Sequence, residues 1–170
     1  MWSKEKFLSD LEFGKIGEEK TLDFLNSLDM THKIIDVRED KICQKNDVDF
    51  IQIAKDCEIY KIEVKTDRQS HISKNIVFEV ISNKKYNTEG CFSKCKADIM
   101  FYYFSEVDEL YYINVQLLKN YVEENKKDLR LVPMGDDALG YLIRYKIFKA
   151  YVARFCHFCD PLSRAVHVFL

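Results

Sequence analysis

Three charged side chains in the stretch Asp47–Lys65, DVDFIQIAKDCEIYKIEVK, have the types and spacing to share one chemical task. The stretch reads as two short strands joined by the polar turn KDCE, with Asp49 early in the first strand and Glu63 and Lys65 closing the second. Paired as a hairpin, Asp49 and Glu63 come close, and the two-residue period of a strand puts Lys65 on the face of Glu63. Neighbouring carboxylates repel, and a hard cation such as Mg²⁺ relieves the repulsion. Such an ion polarises a phosphodiester and lowers the pKa of an attacking water, and a lysine beside it can position or deprotonate that water or offset developing charge. The competing reading is an exposed hairpin carrying a cross-strand ion pair, worth about 0.2–1 kcal/mol. Glu-x-Lys also occurs at Glu18–Lys20, Glu39–Lys41 and Glu124–Lys126, so the tripeptide alone decides nothing.

The elements that must hold these residues follow from periodicity. Residues 3–28 read as a helix, with Leu8, Leu11, Leu22, Leu25 and Leu28 at helical spacing. Gly14 and Gly17 imply either a break near Phe13 or close packing against a neighbour, since each costs up to about 1 kcal/mol in a helix interior. The stripe through Leu11, Leu22 and Leu25 passes through position 18, so Glu18 occupies a slot where an apolar residue is expected. It is either a fraying of the stripe or a carboxylate turned inward.

Strands are expected at 32–37, 48–54, 58–65, 75–82, 97–104, 110–114, 129–133 and 141–148, and a helix at 115–125. Residues 83–96 form a polar loop, and MGDDALG a turn. Glu79 interrupts an apolar strand, where it faces an edge, stands behind Lys65 or meets DNA. The fold class is α/β, a mixed central sheet flanked by helices. With 170 residues and no repeat or linker, the chain reads as one domain, its core at 14–125 and a tail of uncertain role at 151–170.

Composition is that of an ordinary soluble protein, 47% apolar and 32% charged, with no membrane-length apolar run and no signal-like start; a cytoplasmic location is the expectation. The net charge of −2 is neutral on nucleic acid, but between Tyr60 and Lys96 eight Lys and Arg stand against four Asp and Glu. Among them Arg68, Lys74, Lys94 and Lys96, with Lys84 and Lys85, are candidate phosphate contacts. The six cysteines read as thiols, and Cys156-His157-Phe158-Cys159 lacks a second pair at matching spacing for zinc.

Glu18 in GKIGEEK, Asp49 in VDFI and Glu63-x-Lys65 in IEVKT together resemble the PD-(D/E)xK nuclease superfamily, whose fold is restriction-endonuclease-like. The helix pattern is similar to its Holliday-junction-resolvase-like branch, and the segment from NIVFEV to KADIMFYY to phage-type small nucleases. The resemblance spans about residues 14–104 and departs at Val48, where the family name has Pro. It implies a divalent-metal-dependent deoxyribonuclease, an endonuclease of the hydrolase class, acting on DNA and selective for junctions or branches. Asp49, Glu63 and the Val64 carbonyl would hold Mg²⁺ or Mn²⁺, Glu18 would support the site, and Lys65 would be the catalytic lysine. It also implies a homodimer. The alternative is a catalytically inactive nuclease fold that binds nucleic acid or a partner.

Overall fold

The structure is a computed structural model that describes residues 4–135, 137–144 and 168–169. The expected tail motif at Cys156–Cys159 and the end of the last expected strand lie outside these residues. Helix α1 (Lys4–Ser27) leads into β1 (Thr31–Asp36), a short α2 (Lys41–Lys45), β2 (Phe50–Ala54) and β3 (Ile59–Asp67). There follow α3 (Ser70–Ser73), β4 (Asn75–Asn83), β5 (Thr88–Glu89) and α4 (Cys91–Lys94). The chain continues through β6 (Ile99–Phe104), β7 (Glu109–Asn114), α5 (Val115–Asn125), β8 (Arg130–Met134), β9 (Ala138–Arg144) and β10 (Val168–Phe169).

Two sheets result. The first has the order β1-β2-β3-β6-β7-β10 and is mixed, because β3 and β6 pair in parallel from Ile62↔Ile99 to Asp67↔Phe104 while its other pairs are antiparallel. The second, β5-β4-β9-β8, is antiparallel. A parallel pair needs a long crossover, and here the crossover from β3 to β6 contains β4 and β5 and so begins the second sheet. The mixed α/β architecture is the expected one; the second sheet is the addition.

The first sheet separates two cores. Phe24 and Leu25 of α1 pack on Phe50, Ile62, Val64, Phe101 and Tyr103 on one side. On the other, Met100, Tyr102 and Phe104 meet Ile76, Phe78 and Ile143 of the second sheet and Leu118 and Val122 of α5. Covered on both faces, β6 is buried at all six positions, which accounts for its unbroken run IMFYYF. In α5 the Asn114 side chain caps Leu117 N–H at 3.0 Å, and Val115, Leu118, Tyr121 and Val122 turn inward.

Helix α1 is continuous through both glycines. Its inward face is Gly17, Thr21, Phe24 and Leu25, whereas Leu11 is 50% exposed, so the stripe drawn through Leu11 is displaced from the true packing face. Gly17 is the close-packing alternative realised: a Cβ there would lie 2.1 Å from Thr66 Oγ1 and 3.1 Å from Tyr103 Cβ. Thr66 Oγ1 donates to the Gly14 carbonyl at 3.1 Å, so the helix is fastened to β3 at the residue that follows the candidate site.

The remaining differences are at element ends. The loop expected at 83–96 holds β5 and α4, and the 41–45 helix escaped periodicity because it has one turn, nucleated by Asp40 accepting from Ile42 and Cys43 N–H at 2.9 and 2.8 Å. Strand β9 begins at Ala138, since Met134↔Ala138 closes a tight turn in which Gly135 adopts φ +75°. Gly17→Ala should destabilise the protein by about 1–3 kcal/mol through overpacking, against the gain expected from helix propensity; urea unfolding of the variant measures it.

Candidate active site

The pairing of β2 with β3 begins at Phe50↔Ile62, and Asp49, one residue ahead of it, comes beside Glu63. Asp49 stands just ahead of β2 yet keeps the ladder: its N–H donates to the Ile62 carbonyl at 2.8 Å, and its carbonyl accepts from Val37 N–H at 3.0 Å. Its Oδ2 accepts from Val64 N–H at 2.8 Å. Glu63, 4% exposed, shares a hydrogen bond with the Asp49 carboxyl and pairs through Oε1 with the Lys65 ammonium. Three of the four residues expected at the site are therefore in one hydrogen-bonded cluster. Val64 meets it through its N–H.

Electrostatics follow from this crowding. Burial, then the Glu63 charge, pushes the Asp49 carboxyl up to about 8, against the Val64 hydrogen bond and the Lys65 charge. Burial likewise raises Glu63, against the pull of Lys65. For Lys65, burial favours the neutral amine, but the Glu63 charge leads a set of groups that hold the ammonium well above its ordinary value. Both carboxyls are thus held toward their protonated forms.

Glu18 lies outside this cluster. It belongs to the helix layer, while the register places Glu63 and Lys65 beside Met100 and Tyr102, on the face turned to the second sheet. Its Oε2 accepts from Arg38 Nη1 at 2.9 Å, and its charge adds to the forces raising Asp49. Arg38 was not singled out in the sequence. It binds Glu18, Glu19 (2.8 Å) and both oxygens of Asp36, and stacks 5.0 Å from the Phe50 ring centre. Asp36 first, then the two glutamates, raise the guanidinium further above its already high value despite burial.

Asp47 is a second omission. It adopts φ +51°, only 13% of its side chain is exposed, and its charge helps raise Glu63. Its Oδ1 lies 3.4 Å from Lys94 Nζ, and its Oδ2 is buried with no hydrogen-bond partner. Lys94, a candidate phosphate contact, is thus engaged by an acid. Lys74 and Lys96 are exposed, and Arg68 stacks on Phe13 with its Cζ 3.8 Å from the ring centre. Glu79 is not an edge residue, since β4 lies between β5 and β9; its Oε1 accepts from Cys91 N–H at 3.3 Å, and it shares with Lys65 a groove of about 360 Å³ between the sheets. A further groove, about 450 Å³, runs between α1 and the end of β3.

Among the described residues no three or more His, Cys, Asp or Glu side chains are grouped to hold a metal ion. The donor set on offer is the Asp49–Glu63 pair. That fits Mg²⁺, which typically takes one or two carboxylates and fills its octahedron with water and phosphate oxygens, better than an ion requiring three or four protein ligands.

No protein-family profile matches the chain, and neither does any curated protein. Two solved structures are similar in fold. One is the bacterial homing endonuclease I-Ssp6803I, at TM-score 0.47 and 15% identity over 64% of this chain and 71% of that one. The other is a nuclease from a fusselovirus, at TM-score 0.42 and 17% identity over 87% and 94%. At these scores the likenesses add no argument about chemistry, which rests on the side chains. Among the described residues no helix is long and apolar enough to cross a membrane.

The raised carboxyl sets a sign for stability. Folded Asp49 keeps its proton to about pH 8, whereas its ordinary value is 3.8, so its contribution is fully present below about pH 4 and is lost as pH rises to about 8. Asp49→Asn, which keeps an acceptor for Val64 N–H, should therefore melt higher than the metal-free parent at pH 8, the gap narrowing steadily as pH falls and closing near pH 4; thermal melts across that range measure it.

Proposed function

We propose that this chain is a divalent-metal-dependent deoxyribonuclease that hydrolyses DNA phosphodiesters by in-line attack of water. One observation carries the reading: the half-buried Asp49 carboxyl and the buried Glu63 carboxyl are joined side by side, with the Lys65 ammonium on the second. Asp49, Glu63 and the Val64 carbonyl would hold Mg²⁺ or Mn²⁺. When bound, the ion would polarise the scissile phosphate and lower the pKa of the attacking water.

The chain's own groups supply the rest. Val64 N–H fixes the Asp49 carboxylate in rotation. Lys65 works as an ammonium rather than a base: it donates to the phosphate or water oxygen and offsets charge gathering in the transition state. Glu18 acts through the field at Asp49 and is held in place by Arg38. Arg68, Lys74 and Lys96 are the cations offered to flanking phosphates, and Lys94 joins them if it leaves Asp47.

The test is Mg²⁺- or Mn²⁺-dependent cleavage of linear, single-stranded, nicked and branched DNA. Lys65→Ala and Asp49→Ala should each lower the rate on the order of 10²-fold or more. Cutting that survives both substitutions would show that the chemistry lies elsewhere, and binding without cutting by the parent would favour a catalytically inactive nuclease fold. A second measurement addresses the metal. Binding must displace the Asp49 proton, so Mn²⁺ affinity should fall about tenfold per pH unit below about 8. Calorimetry in buffers of different ionisation heat should record the released proton; pH-independent affinity would contradict it.

A further inference from the structure

The groove between α1 and the end of β3 contains neither member of the carboxylate pair, but Val64 and Lys65 belong to its wall, so it lies beside the candidate metal site at the same end of β3. Its volume of about 450 Å³ is within the roughly 300–1,000 Å³ typical of ligand sites. Its walls are tied together by the Thr66–Gly14 hydrogen bond at 3.1 Å and by the close approach at Gly17. Phe13 and Arg68 form a stack on its rim, 3.8 Å from Cζ to ring centre.

Arg68 differs from the cations that carry ion pairs at the site. Arg38 binds three carboxylates, Lys65 pairs with Glu63 and Lys94 with Asp47, whereas among the described residues no carboxylate pairs with Arg68. Stacking holds its plane against Phe13 and leaves the N–H edge for an anion. The charges of the lining are balanced, with Asp10 and Asp67 against Lys65 and Arg68. A channel for phosphates alone would be one-signed. A balanced groove with an aromatic–guanidinium stack suits a neutral heterocycle with hydrogen-bonding edges, next to a single phosphate. Bases stack on aromatic rings and guanidinium planes once they are free of the duplex. A paired base inside a helix has no face to offer.

We propose that this groove receives the nucleotide adjoining the scissile phosphate, its base stacked on the Phe13–Arg68 pair and its phosphate on the Arg68 edge. The substrate is then DNA that is unpaired next to the cut, as in a single strand, a flap or a branch point. The proposal rests on the nuclease reading above and adds to it the class of DNA.

The experiment uses fluorescein-labelled DNA of one length in single-stranded, forked and fully paired forms. Binding is read by anisotropy in Ca²⁺, and cleavage in Mn²⁺. The parent should prefer the unpaired forms. Phe13→Leu, which keeps apolar bulk, and Arg68→Lys, which keeps charge at an exposed position, should each lose about tenfold in affinity for the unpaired forms. Phe13→Leu should change little on duplex, and on the unpaired forms both variants should raise KM and retain kcat. Parental preference for unpaired DNA that persists in both variants would overturn the subsite, as would a parent that prefers duplex. If cutting is still metal-dependent and abolished by Asp49→Ala, the subsite alone falls. A parent that never cuts removes both readings.

Discussion

Two carboxylates forced together out of water dominate this structure. Asp49 and Glu63 meet at the start of the β2–β3 pairing, where a hydrogen bond joins their carboxyls, and burial raises both. Such a pair is unstable as two anions, and each remedy is visible nearby. Val64 N–H donates to one, the Lys65 ammonium pairs with the other, and burial favours holding a proton on the pair. A divalent cation would replace that proton. In the proposed nuclease, metal affinity and the strain of the metal-free protein would have one origin.

The surrounding layers keep the pair in place. Helix α1 lies on β3 only because Gly17 has no side chain to separate it from Thr66, and the second sheet covers the face that carries Lys65. Arg38 joins the helix to the first strand by binding Glu18, Glu19 and Asp36 together. Acidic residues converge on this end of the sheet, and two cations, Arg38 and Lys65, keep their mutual repulsion local.

Part of the hairpin was legible because strand alternation is strict: the period of two put Glu63 and Lys65 on one face, while Asp49 came beside them only on the condition that the two strands pair. Glu18 was only half legible. Periodicity put it beside a packed face, but the stripe used Leu11, which points to solvent, while the true face contains Gly17 and Thr21, residues that carry no hydrophobic signal. Arg38 and Asp47 were invisible for another reason. Each acts through tertiary partners or a left-handed backbone turn, and nothing in the spacing of DVREDK or NDVD announces either. The second sheet was hidden in the same way, since β4, β8 and β9 read correctly as strands but a strand's partner is set by topology and not by its own pattern. Short α2 and α4 fall below the length at which a period can be recognised.

The route of the chain between the two sheets has a kinetic consequence. After β3 the chain leaves the first sheet to lay down β4 and β5, returns for β6 and β7, and leaves again for β8 and β9. Lys65's strand gains its parallel neighbour only after this excursion, and β4 waits for β9, beyond α5. Contacts so distant along the chain are slow to form, because loop closure must precede the pairing that stabilises it. The hairpin of β2 and β3 can close early and locally, bringing Asp49 opposite Glu63 while both are still hydrated and cheaply ionised. The repulsion becomes severe only when the second sheet arrives and excludes water. An ion or proton captured at that late stage would be sealed in by the same step that completes the fold.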